Sequence, residues 1–310
     1  MARFPTKSLL LATTVAATAC SDLTSPPRDD TSYDLLFESM ASPQENQSHI
    51  YVLRAGAAAA VPLFNDQSYG TQPRVSLDGR WVAYIAPRPE DGAGAIWLAN
   101  VDGTQRRQVF TSSGESLLWP APSPDGSRIA FQAYDEVTGS SKIWIVNANG
   151  SGAFAITTEP HAAPFVHTAP AWSPDGTRIA LAMGAPGSLR LAIMSATGGA
   201  LTVLTQPAAG SDTEPHWAPT GTHLVFARTT SPAASDLMVV NVANGATGVI
   251  YAGNAHHPAW SPNGQLILFS ARPPGEPDEL FAISTIDGST QRVTSNAVAD
   301  RHPNWARHVP

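Results

Sequence analysis

Six residues stand immediately before a proline at a recurring interval: Gln72, Trp119, Ala169, Glu214, His257 and His302. Two imidazoles, a carboxylate and an amide in matched positions could hold a divalent cation or a polar ligand if the fold gathers them around one opening. Polar residues in such places are also commonly just solvated. The expectation is therefore contact with a ligand or partner through Gln72, Trp119, Glu214, His257 and His302, with no metal, cofactor or catalytic residue assigned. His256 and His257, being adjacent, would point to opposite faces of a strand and so make poor co-ligands. The sequence contains no G-x-S-x-G elbow, which speaks against a serine peptidase, and no P-loop, EF-hand loop or paired cysteines. Its single cysteine, Cys20, cannot form an internal disulfide. Cys20 closes an apolar run from Ser8 to Ala19 that follows Arg3 and Lys7. That run is too short to span a bilayer as a mature helix and reads as an export signal.

The elements that must position the six residues follow from a repeated hairpin. In Ser173-Pro174-Asp175-Gly176, proline presets φ, aspartate bonds its own backbone and glycine accepts φ > 0. Short β-favouring runs flank this turn, Pro170-Ala-Trp172 before it and Arg178-Ile-Ala-Leu181 after it, so the unit is strand, turn, strand. Proline cannot donate to a ladder, which makes the first strand an edge strand. The Trp sites Val75, Pro122, Trp172, Trp217, Trp260 and Trp305 are spaced by 47, 50, 45, 43 and 45 residues, and a proline stands two positions before each. A phased period near 45 is that of four-stranded propeller blades. Third strands follow at 96–98, 143–146, 191–194, 237–240 and 280–283, matched by 50–53. Fourth strands end near Thr157, Thr205 and Thr294.

The last copy has only a first strand, and the N-terminal one has only the second, third and fourth. The predicted fold is all-β: a six-bladed β-propeller of four-stranded antiparallel blades, its ring closed by the C-terminal strand completing the N-terminal blade, which removes an open sheet edge. A hydrophobic fraction of 43% suffices for a core, and 27 Pro with 24 Gly suit a turn-dense chain. With only 18 Lys and Arg and a net charge of −7, the chain lacks the basic footprint of a nucleic-acid binder.

The runs Pro120–Phe131 and Ile143–Gly150 resemble the repeats of TolB-type, WD-like six-bladed propellers, and the resemblance covers residues 32–310. Leu77, Ala218, Thr220 and Asn263 depart from the turn pattern without preventing a hairpin. With the repeats starting at residue 32, the N-terminal α/β domain that TolB carries is not expected in this sequence. Ala17-Thr18-Ala19-Cys20 resembles the lipobox of bacterial lipoproteins, with Ala where Leu is usual. The expected organisation is a signal peptide over 1–19, a polar tether over 20–31 and a propeller over 32–310. The resemblance implies a diacylglyceryl group on Cys20, with Ser21 after it favouring an outer-membrane location facing the periplasm. The expected function is a monomeric, non-catalytic platform for an envelope protein or cell-wall component, touching the membrane through its lipid only. The alternative is a carbohydrate-active lyase or hydrolase working at the channel rim, since TolB-like propellers include a pectin-fragment lyase with a metal site.

Overall fold

The computed structural model describes residues 33–40, 47–66, 68–158, 164–231 and 234–308. The segments expected to be a signal peptide and a tether, with Cys20 between them, lie outside the described residues. Within them the chain forms six antiparallel sheets of four strands. Blade 1 takes Arg301–Arg307 as its first strand, followed in space by Tyr33–Ser39, His49–Leu53 and Val61–Pro62. Trp305 pairs with Leu35, which pairs with Leu53, so the two chain ends share one sheet and the ring is closed as predicted. Blades 2 to 6 follow in chain order, with first strands Thr71–Val75, Ser116–Pro122, Val166–Trp172, Ser211–Trp217 and Ala255–Trp260. These first strands touch one another in a closed cycle and therefore surround the central channel.

The turn chemistry explains why each hairpin forms. Asp175 accepts from the Ser173 hydroxyl at 2.5 Å and from the Thr177 N–H at 3.0 Å, while Ser173 Oγ accepts the Arg178 N–H at 2.9 Å. The same serine-to-acidic or amide bond recurs at Ser76, Ser123 and Ser261. The fourth strands end one or more residues earlier than the sequence suggested, because threonine closes the ladder with its side chain. The hydroxyls of Thr157, Thr205 and Thr294 accept the N–H groups of Ile143, Leu191 and Leu280 at 2.9, 2.9 and 3.0 Å.

The core is divided among the six seams between blades. The seam between blades 3 and 4 buries Ile143, Ile145, Trp172, Ile179 and Leu181, and that between blades 4 and 5 buries Leu191, Trp217, Leu224 and Phe226. The closing seam between blades 6 and 1 is the thinnest among the described residues. Its buried cluster is Leu35, Ala259, Leu266, Leu268 and Trp305, against eight to twelve residues in each of the others.

Candidate functional site: the central channel

The innermost strands begin one to three residues before the pre-proline position rather than just at it. Proline is accommodated inside the strand by a bulge. The pairing skips from Leu118 to Ala121, from Thr168 to Ala171, from Thr213 to His216 and from His256 to Ala259, leaving the pre-proline residue and the proline out of the ladder. All six pre-proline residues have φ between 49° and 58°. For a non-glycine residue before proline this is a disfavoured, left-handed conformation costing of order 1 kcal/mol each. It frees the N–H of these residues from the ladder, and the neighbouring blade uses it.

Gln72 Oε1 of blade 2 accepts the Trp119 N–H of blade 3 at 2.6 Å, and Glu214 Oε2 of blade 5 accepts the His257 N–H of blade 6 at 2.6 Å. In blade 1 the pre-proline residue is His302, and Glu38 of the adjacent strand takes the same role, accepting the Gln72 N–H at 2.8 Å and the Thr71 hydroxyl at 2.7 Å. His302 Nδ1 lies 2.9 Å from the same Glu38 oxygen. Burial alone would raise the Glu38 pKa; the His302 ring, the Gln72 N–H and the Thr71 hydroxyl outweigh it and hold the carboxyl at about 2. Glu38 was not singled out from the sequence. The signal for it is the residue after each Ile-Ala-Phe-like triplet, where Glu38, Gln132 and Ser270 stand against Ile85, Ala182 and Ala227.

Across the axis, Trp119 of blade 3 reaches His257 of blade 6 and His302 of blade 1, with ring centroids 6.0 and 5.5 Å apart, and the two imidazoles lie 3.8 Å from each other. Five of the six pre-proline residues are thus brought together, whereas Ala169 contributes no polar group. Their polar atoms are largely engaged with one another. His257 Nδ1 bonds Ser270 Oγ at 2.8 Å, and its Nε2 is 3.7 Å from Glu214 Oε1. Burial, then the neighbouring His302, push the His257 pKa well below the usual histidine value, which keeps the ring neutral. Among the described residues no group of three or more His, Cys, Asp or Glu is arranged to hold a metal ion.

One residue past each proline lies a second layer, which the sequence reading passed over: Arg74, Ala121, Ala171, His216, Ala259 and Asn304. Where this residue is alanine, the tryptophan of the next blade donates to its carbonyl. Trp172 Nε1 bonds Ala121 O at 2.9 Å, Trp217 bonds Ala171 O at 3.1 Å and Trp305 bonds Ala259 O at 3.3 Å. Arg128 and Arg178 cover the outer faces of Trp172 and Trp217 at 4.6 and 4.7 Å, adding a cation–π contact. Where the residue is polar, its side chain takes a backbone N–H of the next blade. His216 Nδ1 accepts from Trp260 N at 3.3 Å and Asn304 Oδ1 from Val75 N at 3.3 Å. The Trp260 indole N–H is then left buried without a partner. Burial, followed by the Arg74 charge, lowers the His216 pKa to about 3.

Arg74 fits neither scheme. Arginine offers only donors, and the residue facing it on blade 3 is Pro122, which has no N–H to give. Together with Ala121, Ala171, Trp172, His216 and Trp217, Arg74 lines a cavity in the channel that opens between the turns at Leu77, Pro124 and Pro174.

A family model described as the TolB beta propeller domain matches residues 82–308. Among solved structures, TolB from Acinetobacter baumannii is similar with a TM-score of 0.74 at 18% identity, over 90% of this chain and 67% of that one. Hydrazine synthase from Kuenenia stuttgartiensis is similar with a TM-score of 0.72 at 15% identity, over 92% of this chain and 47% of that one. Oligogalacturonate lyase from Vibrio parahaemolyticus gives 0.57 at 12% identity, over 84% and 74%. At these identities the likeness is one of fold. No curated protein matches the sequence.

Proposed function

The chain belongs to the TolB β-propeller domain family, and from that premise we propose that it is a lipid-anchored envelope protein whose propeller is a non-catalytic binding platform for a protein or cell-wall partner. One observation carries the reading. The polar groups nearest the axis, Glu38, Gln72 and Glu214, each accept a backbone N–H from the next blade, so the groups best placed for acid–base chemistry are engaged in holding the ring together. The fold neighbours have unrelated activities, in keeping with the rule that function resides in the site and not in the propeller.

In this reading Cys20 carries the lipid, residues 20–31 hold the domain off the membrane, and the protein sits in the envelope, at the outer membrane facing the periplasm, as a monomer. The full chain, cross-linked in envelope extracts, is expected to recover a defined partner, and Cys20→Ser is expected to leave the protein unlipidated by mass spectrometry and released from membranes. Purified protein that turns over a polysaccharide without a partner would count against the platform. That outcome would favour the carbohydrate-active alternative, for which the convergence of Glu214, His257 and His302 is the specific support.

A further inference from the structure

We infer that the channel cavity lined by Arg74 is a carboxylate-binding site, with the Arg74 guanidinium as its anchor. This stands independently of the platform reading, because it rests on a side chain past the prolines that no neighbouring blade engages, and not on the engaged groups before them. Arg74 is the residue in its layer that no neighbouring blade uses. Among the described residues its guanidinium has no hydrogen bond and no carboxylate within ion-pair distance, although it stands inside the channel wall. A planar fork of donors left without acceptors matches a carboxylate in a bidentate pair.

His216 lines the same cavity. Its Nδ1 lies 3.3 Å from Trp260 N and 3.1 Å from Trp217 O, so this nitrogen is held by the backbone of the joint. The third polar side chain of the layer is already committed, since Asn304 Nδ2 donates to Pro73 O and His302 O, both at 2.8 Å. Alanines at 121 and 171 leave the space open, and Trp172 and Trp217 wall it. The cavity measures about 60 Å³, against roughly 10–15 Å³ needed for one water. It therefore takes a carboxylate head group, with any larger body remaining at the mouth between the turns.

The charge of the site selects a monoanion. Burial lowers the Arg74 pKa to about 10, with the Glu214 charge acting in the opposite direction, so the guanidinium stays charged at neutral pH. The same Glu214 charge tempers the field and disfavours a phosphate dianion.

The test uses the full chain, with tryptophan fluorescence and calorimetry at constant ionic strength, chloride replacing each anion. Acetate is expected to give a saturable change that chloride does not. A short peptide with a free C-terminal carboxylate, compared with its amidated form, separates a free small acid from a carboxylate carried on a longer body. Arg74→Gln is expected to weaken acetate binding at least about tenfold; Arg74→Lys, keeping charge but losing the fork, should weaken it less, and Arg80→Gln, on the exposed turn, should not change it. Should Arg74→Gln fail to fold, the wild-type acetate and chloride titrations and Arg74→Lys decide. No saturable response to acetate, tighter binding of phosphate than of acetate, or equal affinity in a folded Arg74→Gln would overturn the assignment.

Discussion

In the channel layer just before the prolines, Gln72 and Glu214 take the freed N–H of the next blade directly, and Glu38 does the same for blade 1. In the layer just past them, three blades are joined by a tryptophan indole donating to an alanine carbonyl, two by His216 and Asn304 accepting a backbone N–H, and one joint, from Arg74 to Pro122, by neither. Residue polarity alone does not separate the two layers, since each mixes charged, amide and imidazole side chains with apolar ones. What separates them is whether the facing backbone has a donor or acceptor to be met. A polar side chain in the first layer answers a need created by the left-handed pre-proline residue; Arg74 in the second has no such need to answer.

The comparison can be broken most severely at the closing seam, which both layers share. Deleting residues 301–310 removes Trp305 and Asn304 together with the first strand of blade 1. From the loss of one buried tryptophan alone, a fall in melting temperature of about 10 °C or more is expected. An unchanged melting temperature would show that the shared blade does not close the ring.

Glu38 tests the first layer. Its folded pKa is about 2, against 4.5 for an ordinary glutamate. The stability it contributes is therefore present above pH 4.5 and lost as pH falls towards 2, amounting to about 3 kcal/mol in all. Glu38→Gln should flatten this acid limb in urea titrations between pH 4.5 and 2. A limb of undiminished slope would place the acid sensitivity elsewhere.

His216 tests the second layer in a different window. Its folded pKa, about 3, lies below the usual 6.5, so the unfolded chain binds the proton first and stability is lost as pH falls from 6.5. His216→Asn places at this joint the residue that blade 1 already uses at Asn304. It should recover about 2 kcal/mol at pH 5 relative to the wild type. A residual slope is expected from His257, whose pKa is also lowered. No difference between variant and wild type over this range would contradict a buried neutral His216.

The smallest effect distinguishes the two kinds of joint within the second layer. Trp172→Phe removes a hydrogen bond to Ala121 O and should cost about 1 kcal/mol, whereas Trp260→Phe removes an indole N–H that has no acceptor and should cost less. Equal losses in chemical denaturation would mean that ring packing, not the indole bond, makes the joint.

Most of the fold was legible because its determinants are local and repeated. The Ser-Pro-Asp-Gly turn specifies a hairpin within a few residues, and six phased copies with complementary ends leave a closed ring as the consistent arrangement. The fourth-strand ends were less legible, since a threonine hydroxyl replaces a ladder carbonyl and propensity does not distinguish the two.

The channel was half legible. The sequence determined by itself that Gln72, Trp119, Glu214, His257 and His302 occupy equivalent positions facing one axis. Only the tertiary structure decided what they do there, because Gln72 and Glu214 are each answered by a backbone N–H roughly a whole blade away, exposed by a left-handed conformation that no local pattern announced. Glu38 comes from a different strand of its blade, and Arg74 is defined by what Pro122 lacks. Both depend on which residue the neighbouring blade presents across the seam, and that juxtaposition exists only once the ring is closed.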